Sequence, residues 1–415
     1  MTAIDGVDLL DHDLFADHEP WEVFDRLQRE APVFFHAEPE GRGFWTLTKY
    51  DDVLSVLKDT KTFSSEIGGA ATIEDLPEDV LAVRRNFLEF DPPKHGKYRR
   101  LLAADFTPKA VRRYEEWLRL LVGHRLESTL ARNEFDLVGE LAAPIPIRVL
   151  GHMLGLPEDE LPRLVLLGDR LLADTEPELV GELAYRGEQP EDRYKPFGSP
   201  WADELCSLGR AHYAERRERP RDDVLTLIAN GEIDGQPLSE RDLDNMFALL
   251  IVAGNETTRQ AIALGILALA QHPDEYARLR ADRSLVPSAV EELLRFSSPV
   301  WFFRRTTAEA TSIRGTRLGA GDKVVVWFAA GNRDPEHYPN PHRLDIGRNP
   351  TDHLTFGRGG PHFCLGAHLA KLELRIFLEE FVDRVASVEL AGSPERIRSN
   401  FANGLKRLPV RVALE

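Results

Sequence analysis

Two periodicities divide this chain. Apolar residues three and four apart run through most of residues 111–228 and again from 240 to about 270, the spacing of helices that bury a face. Shorter stretches read as extended. Phe34 and residues 43–48 predict a β-hairpin, residues 311–329 predict strands joined by Gly319-Ala320-Gly321-Asp322, and residues 400–405 predict a turn between two short strands. Residues 20–31 and 50–57 read as helices, while residues 65–86 predict a loop with a short helical piece. The helical region breaks at residues 155–157 and again at 187–200. The second break is polar and proline-rich, a composition that suits either an entrance lid or a plain connector.

The longest predicted helix opens on Ser239-Glu240-Arg241-Asp242, which has capping-box spacing, and runs to about Ala270 before His272-Pro273. It is apolar almost all round, so it belongs in the protein's centre. In its middle stands Ala253-Gly254-Asn255-Glu256-Thr257-Thr258. A buried unpaired carboxylate is costly and Gly loosens a helix by about 1 kcal/mol relative to Ala, so this patch marks a cavity wall, a proton path or a water-filled kink. Farther on, Glu292 and Arg295 sit three apart on a helix and can pair. The aromatic run Val300-Trp301-Phe302-Phe303-Arg304-Arg305 follows, and an irregular meander occupies residues 331–350. Upstream, Asp91-Pro92-Pro93 opens a helix that puts His95 and Arg99 on one face, either an anion clamp or a solvated basic face. Between Lys94 and Arg113 there are seven Lys or Arg and one acid, Asp105, a local excess that suggests a docking patch including Lys97, Arg112 and Arg113.

Composition narrows the classes. The net charge of −17 argues against a nucleic-acid partner. The first residues carry neither a basic nor an apolar segment and no apolar run is long enough for a bilayer, so neither a secretion signal nor a membrane anchor is expected. Cys206 and Cys364 are the only cysteines, which argues against a disulfide framework and fits a cytoplasmic protein. Cys364 lies in a glycine-rich loop, Thr355-Phe356-Gly357-Arg358-Gly359-Gly360-Pro361-His362-Phe363-Cys364-Leu365-Gly366, with an amphipathic run behind it. A thiol at a helix N-terminus is biased toward thiolate, which suits ligation of haem iron or a soft metal, or nucleophilic attack; a buried structural thiol is the plain alternative.

With the Ala-Gly-x-Glu-Thr helix, Glu292-x-x-Arg295, the meander and the Phe-Gly-rich cysteine loop in this order, the sequence resembles the cytochrome P450 family from about residue 20 onward. The resemblance implies a mainly α fold with small β-sheets and a long central helix over a haem. It implies one domain over residues 1–415, helical from about 90 to 295 and β-rich at about 30–65, 300–330 and 385–415. Cys364 would be the thiolate ligand of haem b, with Phe356 packed near the sulfur. His95, Arg99, Arg305 and His362 would hold the propionates, with Arg304 as the neighbouring alternative to Arg305. Thr257 would hydrogen-bond bound dioxygen, and Glu256 would relay protons. Glu292, Arg295 and Arg343 would form a structural ion network. Leu249, Ala253, Val300, Trp301, Phe302, Phe401 and Ala402 would line the substrate pocket with residues 65–90, although strand alternation turns Trp301 or Phe303 into the core.

The implied activity is insertion of one oxygen atom from dioxygen into a bulky apolar small molecule, with electrons from a ferredoxin and its reductase. Peroxide-driven oxidation and non-catalytic haem sensing are the alternatives. The extra residue in Gly359-Gly360-Pro361 before His362, with Gly-Asn-Glu-Thr-Thr-Arg and Phe-Arg-Arg-Thr, resembles the bacterial subgroup acting on steroids, terpenoids and branched lipids. Ala310 departs from the acid that relatives often carry after the propionate arginine.

Overall fold

The computed structural model describes residues 6–17, 19–39, 41–172, 191–349 and 351–414. Residues 187–190 of the expected second break and Pro350 at the end of the meander lie outside the described residues. The fold is mainly helical with small sheets, as expected.

Its axis is the helix Glu240–Gln271, buried along almost its whole length. Local chemistry starts it: Ser239 Oγ accepts the Asp242 N–H at 3.1 Å while the Asp242 carboxylate accepts the Ser239 N–H at 3.2 Å, so two orphan donors are satisfied reciprocally. Helices Pro144–Leu154, Leu161–Leu172, Ala202–Glu218, Val286–Ser297 and Ala367–Arg384 pack around it. The break at 155–157 is a left-handed cap, with Gly155 at φ 66°. Within the second break, residues 191–200 bond back to the helix Glu78–Arg84, Arg84 Nε donating to Arg193 O at 2.7 Å.

The largest sheet has the strand order Val33–His36, Phe44–Leu47, Lys323–Trp327, Phe302–Thr307, Phe63–Ser64. The first two strands form the expected hairpin, and Lys323–Trp327 runs parallel to Phe44–Leu47. This sheet carries both Arg304 and Arg305 on one strand, pointing to opposite faces. The expected turn at 400–405 joins Glu395–Arg396 to Leu405–Arg407. One strand falls inside the region read as helical: Glu134–Asp136 pairs with Pro409–Leu414. Among the described residues no helix is long and apolar enough to cross a membrane.

Between the central helix and the cysteine loop, Glu292 and Arg295 form a fully buried bidentate pair at 2.7 and 2.8 Å. The third member of that network is not Arg343, which is exposed and contributes only its carbonyl. Arg348 takes the place: its Nε reaches Glu292 Oε1 at 3.1 Å, and the Asp345 N–H reaches the same oxygen at 3.0 Å. The meander has no periodicity to count along, and its turn at Asn340 (φ 49°) folds Arg348 back over the carbonyls of Pro339 and Arg343. Arg295 Nη1 donates to Asn332 O and Pro341 O. Asn332 in turn bonds Thr355 Oγ1 and the Leu354 N–H at the start of the cysteine loop.

Candidate active site

A cavity opens between the central helix and the cysteine loop, and its walls are overwhelmingly apolar. On the helix side it meets Leu249, Ala253, Gly254 and Thr257. Ala253 is exposed although it sits mid-helix in the core, because this space reaches it. Thr257 Oγ1 donates to the Ala253 carbonyl at 2.8 Å, a back-bond that loosens the helix locally.

Opposite lies Cys364. The loop that carries it is pressed against the helix Tyr50–Lys58: a Cβ on Gly360 would stand 2.1 Å from the Leu57 carbonyl oxygen, so no other residue fits. The Cys364 N–H donates to Phe356 O at 2.8 Å, and both residues line the cavity. Cys364 is open to the cavity, not to the outer surface. Burial accordingly raises the thiol pKa, opposed by the Gly366 N–H, by Arg99 and by the Ala367 N–H.

One rim of the cavity gathers four basic side chains from three segments: His95 and Arg99 from the helix Lys94–Ala103, Arg305 from the strand Phe302–Thr307 and His362 from the cysteine loop. The His95 and His362 rings are 4.2 Å apart, and His362 Nε2 bonds Phe90 O at 2.9 Å. Burial first, then Arg99 and Arg305, lowers His95 to about 4; burial, Arg305, His95 and Arg99 lower His362 to about 3. Arg305 is pushed down to about 10 by burial, with Asp91 and Glu89 opposing. Arg305 Nε and His362 Nδ1 are buried without a partner. Two guanidiniums beside two neutral histidines, with the Arg305 Nε–H left orphaned, call for an anion in the cavity.

These features fit haem. The thiol would bind the iron, the basic rim with its orphaned Arg305 Nε–H would meet the haem carboxylates, and the apolar walls would take the rest of the group.

Of the expected pocket residues, Leu249, Ala253 and Val300 line the cavity. Trp301, Phe302, Phe401 and Ala402 do not. Trp301 is buried against Phe15, Trp21 and Phe24, and Phe302 against Trp327 and Phe401. The reason is sidedness: Val300 bridges Ala402 before the strand Phe302–Thr307 begins, and alternation then brings Phe303 to the cavity. From residues 65–90, Ala70, Phe87 and Leu88 reach it.

Glu256 is buried but is not on the cavity wall. Its carboxylate pairs with Arg259 and accepts from Gln260 Nε2 at 2.7 Å, while Arg259 reaches Asp169 at 3.0 Å. Burial raises the Glu256 pKa and Arg259 opposes it. The acid that sequence reasoning missed is Glu373, on the helix Ala367–Arg384. It lines the cavity, its Oε2 is buried without a partner among the described residues, and burial alone raises its pKa well above the usual range.

Residues 201–401 match the family model described as Cytochrome P450. The methyl-branched lipid omega-hydroxylase of Mycobacterium bovis is 37% identical over 94% of this chain and 90% of that protein. Linalool 8-monooxygenase of Pseudomonas putida is 36% identical over 97% of this chain and 98% of that protein. A Mycobacterium marinum cytochrome P450 solved in complex with pseudoionone superposes with a TM-score of 0.89 at 34% identity, over 99% of both chains. With whole-length identity at this level, the chain belongs to the cytochrome P450 family, and its activity is that of a monooxygenase.

Proposed function

We propose that this protein hydroxylates a bulky apolar molecule of the branched-lipid, terpenoid or steroid kind in the cytoplasm, with haem b held by Cys364 and electrons delivered by a ferredoxin and its reductase. The observation that carries this reading is the placement of Cys364 and Thr257 on one apolar cavity whose basic rim holds an orphaned guanidinium donor on Arg305. Haem bound through a thiolate supplies the redox chemistry, the sulfur pushing electron density toward O–O cleavage. The chain's own residues do the rest. Arg99, Arg305, His95 and His362 fix the orientation of the group through its carboxylates. Leu249, Val300, Phe303, Phe87 and Leu88 exclude water and hold the substrate by its apolar surface.

Protons need a separate route through these dry walls. Thr257 presents its hydroxyl to the cavity and can exchange its bond to Ala253 O for one to a reacting oxygen. Glu256, one residue back, reaches the cavity only by leaving Arg259 and Gln260. Glu373 lines the cavity with its pKa raised by burial, which favours its protonated form. The assay is aerobic turnover of linalool, methyl-branched fatty acids and steroids with ferredoxin, reductase and labelled dioxygen. One labelled oxygen in the product is expected; product formed only with added peroxide, or none at all, would reject the reading. Thr257→Ala should cut the product formed per electron consumed by about tenfold, less than the ~10²–10⁴-fold of removing a general acid or base, because Thr257 only relays the proton. Unchanged coupling would remove Thr257 from the proton route.

The electron donor requires a surface on the cysteine side. Of the three cations expected to form it, Lys97 is paired with Asp234 at 2.5 Å and Arg113 with Asp105 at 2.7 Å. Arg112 is exposed and shares a groove with His368, Lys371 and Arg375 at the helix that follows Cys364. Lys371 and Arg375 are neutralised in part by Glu291 and Glu115. Arg112→Glu is therefore expected to slow reduction by an acidic ferredoxin by about tenfold at low ionic strength, the deficit shrinking as salt screens the approach. Stopped-flow reduction with no salt-dependent difference would place the docking surface elsewhere.

A further inference from the structure

The doublet Arg304-Arg305 uses both faces of its strand, and only Arg305 faces the cavity. Arg304 is fully buried on the other face, where it gathers the segment that precedes the helix Glu78–Arg84. Its Nη1 donates to Ile73 O at 3.0 Å and Glu74 O at 2.8 Å, its Nη2 to Asp75 Oδ1 at 2.9 Å, and its backbone N–H to Ala70 O at 2.8 Å. Lys323, also fully buried, donates to Ile73 O at 3.1 Å, pairs with Glu38, and lies 3.3 Å from Asp75. Arg42 closes on Asp75 through Nε at 3.0 Å and Nη2 at 3.1 Å. Three cations thus converge on one carboxylate.

We propose that Asp75 is a positioning residue that sets the loop-side wall of the substrate cavity and thereby the size of molecule it accepts; this rests on the functional reading above. The segment has few other anchors. Ile73 is its deeply buried large apolar side chain, and Gly68 passes so close to Arg304 that a Cβ would stand 2.3 Å from Nη2. Ala70, the residue of this segment that meets the cavity, is held from both sides: its carbonyl by the Arg304 N–H, its own N–H by Glu89 at 3.1 Å. Glu89 directly follows Phe87 and Leu88, the other cavity residues of this wall. A pull at Asp75 is therefore transmitted through Arg304 to Ala70 and its neighbours. Burial opposes ionisation of Asp75, but Arg42, Arg304 and Lys323 outweigh it and hold the carboxyl down to about 2, so the anion is present under working conditions. Without it, Glu38 is the acid left among the described residues beside Lys323 and Arg304, both fully buried, and the segment relaxes outward to let water reach them.

The test compares Asp75→Asn and Asp75→Glu with the wild-type holoenzyme. Optical titration is made with two azoles that bind haem, small imidazole and bulky 4-phenylimidazole. Asp75→Asn should weaken 4-phenylimidazole about fivefold to tenfold and leave imidazole within about twofold, with faster amide hydrogen exchange confined to residues 67–75. Asp75→Glu should recover most of the loss. Equal weakening of both azoles, or faster exchange with neither affinity changed, would overturn the proposal and leave Asp75 a purely structural residue. No response to either azole in the wild type would reject the functional reading, and this proposal with it.

Discussion

Cys364→Ser is expected to abolish the red-shifted absorption band of the reduced, carbon-monoxide-treated protein and to lower turnover by more than about 100-fold. Losing a mere supporting partner of a metal ligand typically costs ~10–100-fold, and on the function proposed above Ser removes the ligand itself. A serine hydroxyl is nearly the same size as the thiol, so the loop should keep its shape: the N–H at position 364 still donates to Phe356 O, and Gly360 still fits against Leu57. What changes is ionisation. Burial already works against a charged sulfur, and the Gly366 and Ala367 N–H groups with Arg99 only partly compensate. A hydroxyl, far weaker as an acid, gets no usable anion from the same donors. Absorption spectra and single-turnover assays on purified variant check this together with haem content. Retention of both the band and the turnover would mean that another residue donates to the iron.

The parts of this site that were legible in sequence are those written in local chemistry. The central helix announces itself through a capping box, a run of apolar residues on every face and an acid–hydroxyl patch that has no business in a core. The cysteine loop carries Gly360 because backbone must pass against backbone at Leu57. His95 and Arg99 share a helix face by spacing, and the cavity finds them there.

What escaped depends on contacts distant in sequence. Which of Val300 to Phe303 faces the cavity turns on where the strand begins, and the bridge from Val300 to Ala402 that decides it spans about a hundred residues. Phe401 and Ala402 consequently support the wall from behind. Arg348 replaced Arg343 because an aperiodic meander offers no register. Glu373 looked like any acid on an amphipathic helix, where a solvated face is the ordinary expectation; only the packing of that helix beside the cavity makes it a buried carboxyl whose pKa burial raises. Arg304 read as an alternative to Arg305, whereas alternation gives each its own task.

Glu292→Ala is the second large expected effect, and it acts on stability, not on the reaction. The Glu292 carboxylate accepts two bonds from Arg295, one from Arg348 and one from the Asp345 N–H, and it is fully buried with Arg295 beside it. Deleting it leaves one completely buried guanidinium and a second largely buried one without their counter-charge. Breaking a buried pair in this way typically costs ~3–5 kcal/mol, because the partner's desolvation is no longer offset. The loss will not stay local: Arg295 also holds the carbonyls of Asn332 and Pro341, and Asn332 holds Thr355 and Leu354 at the root of the cysteine loop. The variant should therefore melt well below the wild type and bind haem poorly even while Cys364 is intact. Glu292→Gln, which keeps the acceptor oxygen and the volume but not the charge, should lie between the two. Differential scanning calorimetry, paired with haem content after purification, separates this from a catalytic defect. An unchanged melting temperature in Glu292→Ala would mean that the meander is held by its backbone contacts and that the ion network contributes little.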